Sequence, residues 1–165
     1  MLYEILVLAF GVGVLLSARR SRALHIVGAL LMVYAIFNFY WPPMHQREVI
    51  AAGGSTLTDT LHLVWAGVTV TLMFLFIAFG AAAFGKRFRW YSFATAVVLL
   101  TFGILTAPAV AGISTGEPTP WAGVLERINI FMSMPWIAVL ALALLLGPAA
   151  QPATRVKAPP TPKPA

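Results

Sequence analysis

The sequence predicts an all-α integral membrane protein: a bundle of five transmembrane helices with the N-terminus outside and the C-terminus cytoplasmic. Three observations lead there. The 165 residues are 60% apolar and only 10% charged, whereas soluble domains run about 45–50% apolar and about 25% charged. The few charges stand at the edges of long apolar stretches. Those charges also segregate by sign between alternate loops. A basic pI near 10.3 ordinarily raises nucleic-acid binding. Sixteen charges are too few to tile a basic face around a soluble core, so no nucleic acid is expected as a partner. High hydrophobicity excludes disorder for the body of the chain. The absence of cysteine excludes disulfides, thiolate metal sites and cysteine nucleophiles.

A span needs ~20 apolar residues to cross a ~30 Å hydrocarbon core. The gaps between charges place helices at about 2–18, 23–41, 60–84, 90–111 and 128–146. The first is short and holds Glu4. It is no signal peptide, because the basic cluster Arg19, Arg20, Arg22 follows the apolar run instead of preceding it. Residues 1–147 thus read as one helical domain. The segment 148–165 has six prolines and three basic residues, a composition expected to stay a disordered cytoplasmic tail.

Orientation follows from the loops. One side collects Arg19, Arg20, Arg22, Lys86, Arg87, Arg89, Arg155, Lys157 and Lys163, with no acid. The other collects Glu4, Glu48, Asp59, Glu117 and Glu126 against Arg47 and Arg127. The first side is therefore read as cytoplasmic, with its Arg/Lys clusters touching anionic lipid head groups. Small residues such as Gly11, Gly13, Gly28, Gly67 and Gly80 are expected to let helices approach closely. Trp41, Trp65, Trp90, Tyr91, Trp121 and Trp136 include several at expected membrane interfaces. Asn38, inside the second span, is expected to hydrogen-bond a neighbouring helix.

The polar chemistry falls on the outer side. Pro42-Pro43 ends the second span. Met44–Ala52 reads as a short surface helix in which His45 and Glu48 share a face, and Gly53-Gly54 breaks it. Ser55 or Thr58 is placed to cap the next helix, with Asp59 in its first turn. Asp59 and His62 are spaced i,i+3, as are Glu126 and Asn129, with Ser133 continuing that stripe. One reading joins His45, Asp59, His62 and Glu126 into a divalent metal site, a sensible ligand set for zinc, iron or manganese, able to activate water. The other reading makes His45, Arg47, Glu48, Asp59, His62, Glu126, Arg127 and Asn129 a structural network, with the two arginines neutralising the carboxylates. The network is favoured, because no specific metal signature such as HExxH is present and no cofactor is required. His25 lies near the cytoplasmic surface, so it cannot share a ligand with His45 or His62.

Three stretches carry a resemblance. They are Met44-His45-Gln46-Arg47-Glu48 with Ala51 to Gly54 and Leu57 to His62, then Phe79 to Ser92, then Pro118-Thr119-Pro120-Trp121 with Glu126-Arg127-Ile128-Asn129-Ile130. Together they resemble the bacterial membrane family known as domain of unknown function 998, over most of Leu2 to Leu146. The resemblance implies an inner-membrane helical protein with no established activity. Family members look six-helical, beginning with one more helix and an external His-Pro-Ile-Ser type motif. Neither is present here, so an N-terminal truncation, a late start codon or a true five-helix variant is expected. The functional expectation is a non-enzymatic envelope scaffold, assembly or sensing protein. A metal-dependent intramembrane hydrolase acting on lipid is the alternative. A small transporter comes third, since no charge lies near the midplane. Oligomeric state is not legible.

Overall fold

The computed structural model describes residues 1–146, so the Pro-rich tail expected at 148–165 lies outside the described residues. Six helices follow one another: α1 (Leu2–Ser17), α2 (Arg22–Asn38), α3 (Arg47–Ala51), α4 (Leu57–Gly80), α5 (Lys86–Ser114) and α6 (Ala122–Leu146). Three of them, α4, α5 and α6, are long and apolar enough to cross a membrane; α1 and α2 are shorter apolar helices. The architecture is that of a multi-pass membrane helical bundle.

Helix starts fall at or before those of the charge-bounded windows, while α1, α2 and α4 end short of theirs and α5 runs past. α5 starts at Lys86 and contains Arg87 and Arg89, and α6 starts at Ala122 and contains Glu126 and Arg127. Charges mark where a span leaves hydrocarbon, yet backbone hydrogen bonding continues past that point into the polar interface. Pro108 and Pro135 lie inside α5 and α6, as membrane helices tolerate.

The order of packing is α1 on α2, α2 on α4, α4 on α5 and α5 on α6, with α4 also touching α6. The α1–α2 hairpin closes at two glycines. A Cβ on Gly28 would stand 3.0 Å from the Gly11 carbonyl oxygen, and one on Gly11 would stand 3.1 Å from that of Gly28. Two backbones meet here without side chains between them, which is how helices gain van der Waals contact in lipid. Gly80 makes room for the Trp136 ring, 2.5 Å from its would-be Cβ. Gly13 and Gly67 meet nothing within 4 Å, so the expectation of close packing fails at those two. They lie on faces turned away from neighbouring helices.

Trp136 also departs from expectation. It is fully buried, in contact with Phe76 and Phe88, and its indole N–H donates to Ser92 Oγ at 2.9 Å. An indole can be buried so far from water because that donor is satisfied. Trp90 and Trp121, by contrast, are each 69% exposed. Asn38 does bridge helices: its Oδ1 accepts from Thr69 Oγ1 of α4 at 3.0 Å, while its Nδ2 donates to the Tyr34 carbonyl.

The antiparallel path gives the bundle two unlike ends. One carries the α1–α2 turn and the α4–α5 turn with all the described basic clusters. The other carries the α2–α4 connection, including α3, and the α5–α6 turn.

Candidate functional site

The polar residues singled out by sequence gather at the end formed by α3 and the α5–α6 turn. Two backbone devices shape that end. α3 stops at Gly53 (φ +85°), with Gly53 N–H donating to the Ile50 carbonyl and Gly54 N–H to that of Val49. α5 stops in the same way at Gly116 (φ +73°), with Gly116 N–H to Ile113 and Glu117 N–H to Gly112. Both are Schellman motifs, in which glycine takes the left-handed position without steric cost. The two turns touch: a Cβ on Gly116 would stand 3.6 Å from the Ala51 methyl. Ile50 of α3 is buried beneath them. Arg47 completes the join, its guanidinium donating to Thr119 Oγ1 at 3.0 Å.

Asp59 is the centre of the site. The residue is 3% exposed, and the donors around its carboxylate come from the chain. The backbone N–H of His45 reaches Oδ1 at 2.7 Å. The backbone N–H and the hydroxyl of Thr56 reach Oδ2 at 2.7 and 2.8 Å. The His45 ring lies alongside, Nδ1 at 3.2 and 3.1 Å from the two oxygens. Thr56 is the N-cap of α4 and Asp59 its third residue, the positions of a capping box. A buried carboxylate is stable when donors replace its lost water, and here the helix start and the preceding loop supply them.

His62, one turn further along α4, holds the same loop from the other side. Its Nδ1 lies 2.8 Å from the Pro42 carbonyl, and Trp41 packs edge-on against its ring. Trp65 follows, donating to the Phe37 carbonyl and stacking on Phe37 at 4.5 Å. Residues 42–45 are therefore strapped to α4 by two histidines.

Several expected relationships are different in the structure. His45 precedes α3 instead of lying on it, so it shares no helical face with Glu48. The cap is Thr56, and neither Ser55 nor Thr58 takes that place. Among the described residues, the ion pairs are the Met1 amino group with Glu4 and His45 with Asp59. Arg47 and Arg127 thus neutralise no carboxylate: Arg47 binds Thr119, and Arg127 donates to the Gly123 carbonyl of its own helix at 2.9 Å. The physical reason is that Asp59 is already surrounded by donors, while Glu48 and Glu126 are exposed to solvent. The metal set His45, Asp59, His62 and Glu126 is not gathered either. Among the described residues no group of three or more His, Asp or Glu side chains is placed to hold a metal ion. Asn129 is buried with its Oδ1 unpartnered, and Ser133 donates to the Ile130 carbonyl. His25, at the opposite end, has Nδ1 2.9 Å from the Ser21 carbonyl.

Sequence reasoning missed Thr56, although T-x-x-D before an apolar run is a readable capping signature. Thr119 and the Pro42 carbonyl had no local signal, being brought in only by the packing of distant loops.

Comparison with known proteins gives one match. The family described as "Protein of unknown function (DUF998)" covers residues 2–143. No curated protein and no solved structure matches the chain.

Proposed function

The chain belongs to the DUF998 family, and from that membership and the site geometry we propose that it is a non-enzymatic scaffold of the bacterial inner membrane. In this reading five helices cross the bilayer, α1, α2, α4, α5 and α6. The N-terminus and the α3 end face outside, and the basic end faces the cytoplasm and anionic head groups. The charge asymmetry of the loops supports that orientation.

The observation that carries the scaffold reading is the state of Asp59. The one buried acid among the described residues at the α3 end accepts from two backbone N–H groups and the Thr56 hydroxyl and lies against the His45 ring, all groups of its own chain. An acid used for catalysis or for metal keeps an oxygen facing a reacting atom or an ion. Around it, α3 and the α5–α6 turn form a braced outer layer, whose exposed Val49, Trp121 and Val124 offer a surface for another envelope protein.

Two measurements test this. A photo-crosslinker at Val49 should give one adduct of defined mass in living cells. That adduct should vanish in Asp59→Ala, while a crosslinker at Leu142 gives none. Elemental analysis of the purified protein should find no stoichiometric metal. Metal lost together in His45→Ala and His62→Ala would replace the scaffold with the metal-dependent hydrolase.

A further inference from the structure

At the basic end, a cleft of about 330 Å³ opens between α4 and α5. Its walls are apolar, made by Phe74 and Ala78 of α4 and its C-cap Ala81 with Phe93, Val97 and Leu100 of α5. Its rim carries a single charge, Arg89. We propose that this cleft is a site for one anionic phospholipid, with an acyl chain along the apolar wall and the phosphate on the Arg89 guanidinium.

Charge complementarity argues for that occupant. Arg89 is exposed, and among the described residues it pairs with no carboxylate. Lys86 and Arg87 stand beside it in the opening turns of α5, which contain no acid, and the Gly85 cap supplies no side-chain acceptor. Cations at a helix N-terminus are placed against the helix dipole, where an anion is favoured. A bound phosphate relieves that opposition and gives the guanidinium a bidentate partner. The lining supplies the other half of an amphiphile's requirement. Ser92, the remaining polar side chain of the wall, is buried and accepts from Trp136, so it presents almost no polar surface to the cleft. Basic pockets between membrane helices recognise lipid phosphates in this manner. The proposal rests on α4 and α5 crossing the bilayer, and on neither the orientation nor the scaffold role.

Native mass spectrometry of the full chain in neutral detergent tests it. Phosphatidylglycerol and phosphatidylcholine of matched chains are offered in competition. One phosphatidylglycerol should be retained in preference. Arg89→Gln should lower that retention about fivefold, and so should Ala78→Phe, which fills the cleft from an exposed position. Arg87→Gln, outside the cleft, should lower it far less than Arg89→Gln. Equal losses in Arg87→Gln and Arg89→Gln would show diffuse surface attraction and overturn the site. So would indifference between the two lipids, or displacement by excess glycerol phosphate. Circular dichroism checks each variant's helicity, and the two arginine variants decide the matter even if Ala78→Phe fails to fold.

Discussion

His45 and Asp59 are joined twice: the backbone N–H of the one and its ring Nδ1 both meet the carboxylate of the other, at 2.7 and 3.1 Å. The first contact fixes the path of the chain. The second fixes the ring, although the side chain stays 46% exposed. A loop and a helix start are thereby held as one piece.

Replacing Asp59 by Ala should release that piece. It removes the Asp59 half of the capping box and leaves the His45 and Thr56 N–H groups without acceptors. Loss of a cap costs about 0.5–2 kcal/mol, and hydrogen bonds to a charged group about 1.5–3 kcal/mol. A drop of roughly 2–4 kcal/mol is expected in thermal unfolding in detergent. Trypsin should also cut faster after Arg47, whose anchoring loop is no longer held. An unchanged cleavage rate would mean that α3 is held by Ile50 and Arg47 alone.

The α1–α2 crossing should tolerate no Cβ at Gly28. The added atom would stand 2.7 Å from Leu15 Cγ and 3.0 Å from the Gly11 oxygen. Gly28→Ala is expected to destabilise by about 1–3 kcal/mol, as overpacking does. Gly13→Ala, where nothing lies within 4 Å, should be neutral or slightly stabilising through helix propensity. Equal effects of the two would contradict the close approach.

Ser92→Ala should strand the Trp136 indole N–H in the core. An unsatisfied buried donor costs about 1–3 kcal/mol. In the Trp136→Phe background the same change should cost much less, because the donor is gone. Unfolding of the four proteins of this cycle gives the coupling directly. Additive losses would show that the bond contributes nothing.

Asn129 offers the opposite sign. Its Oδ1 is buried without a partner. Asn129→Leu keeps a similar volume and removes the unsatisfied group, so stability should rise by about 1 kcal/mol. A loss of stability would mean that the oxygen has a partner in the membrane-embedded protein, such as water or lipid.

The sequence was informative where one stretch of chain decides the outcome. Apolar windows between Arg22 and Arg47, or Asp59 and Lys86, locate helices because the hydrocarbon core sets their length. Gly53-Gly54 and Asp59 could be read as a stop and a first-turn acid from their neighbours. Contacts between distant stretches were not legible. Nothing near Arg47 points to Thr119, and nothing near Trp136 points to Ser92 rather than to the membrane interface. The expected arginine–carboxylate pairs failed for the same reason. Charge proximity along a chain says which ions share an end of the bundle, but not that backbone N–H groups already occupy the carboxylate. The family resemblance, now shown over residues 2–143, extends across the whole bundle yet carries no chemistry.

The unequal helix lengths have a consequence for the surrounding lipid. α1 and α2 contain 16 and 17 residues, so at about 1.5 Å per residue each reaches roughly 25 Å. α5 contains 29 residues and reaches roughly 43 Å. A hydrocarbon layer of ~30 Å is thicker than α1 or α2 is long, while α5 has length to spare and carries its Lys86–Arg89 turn beyond that layer. In the proposed reading, where α1 and α2 also cross, the bilayer must pinch beside that hairpin and not beside α5. A thickness gradient around the protein would follow, and short-spanned neighbours would collect on its hairpin side.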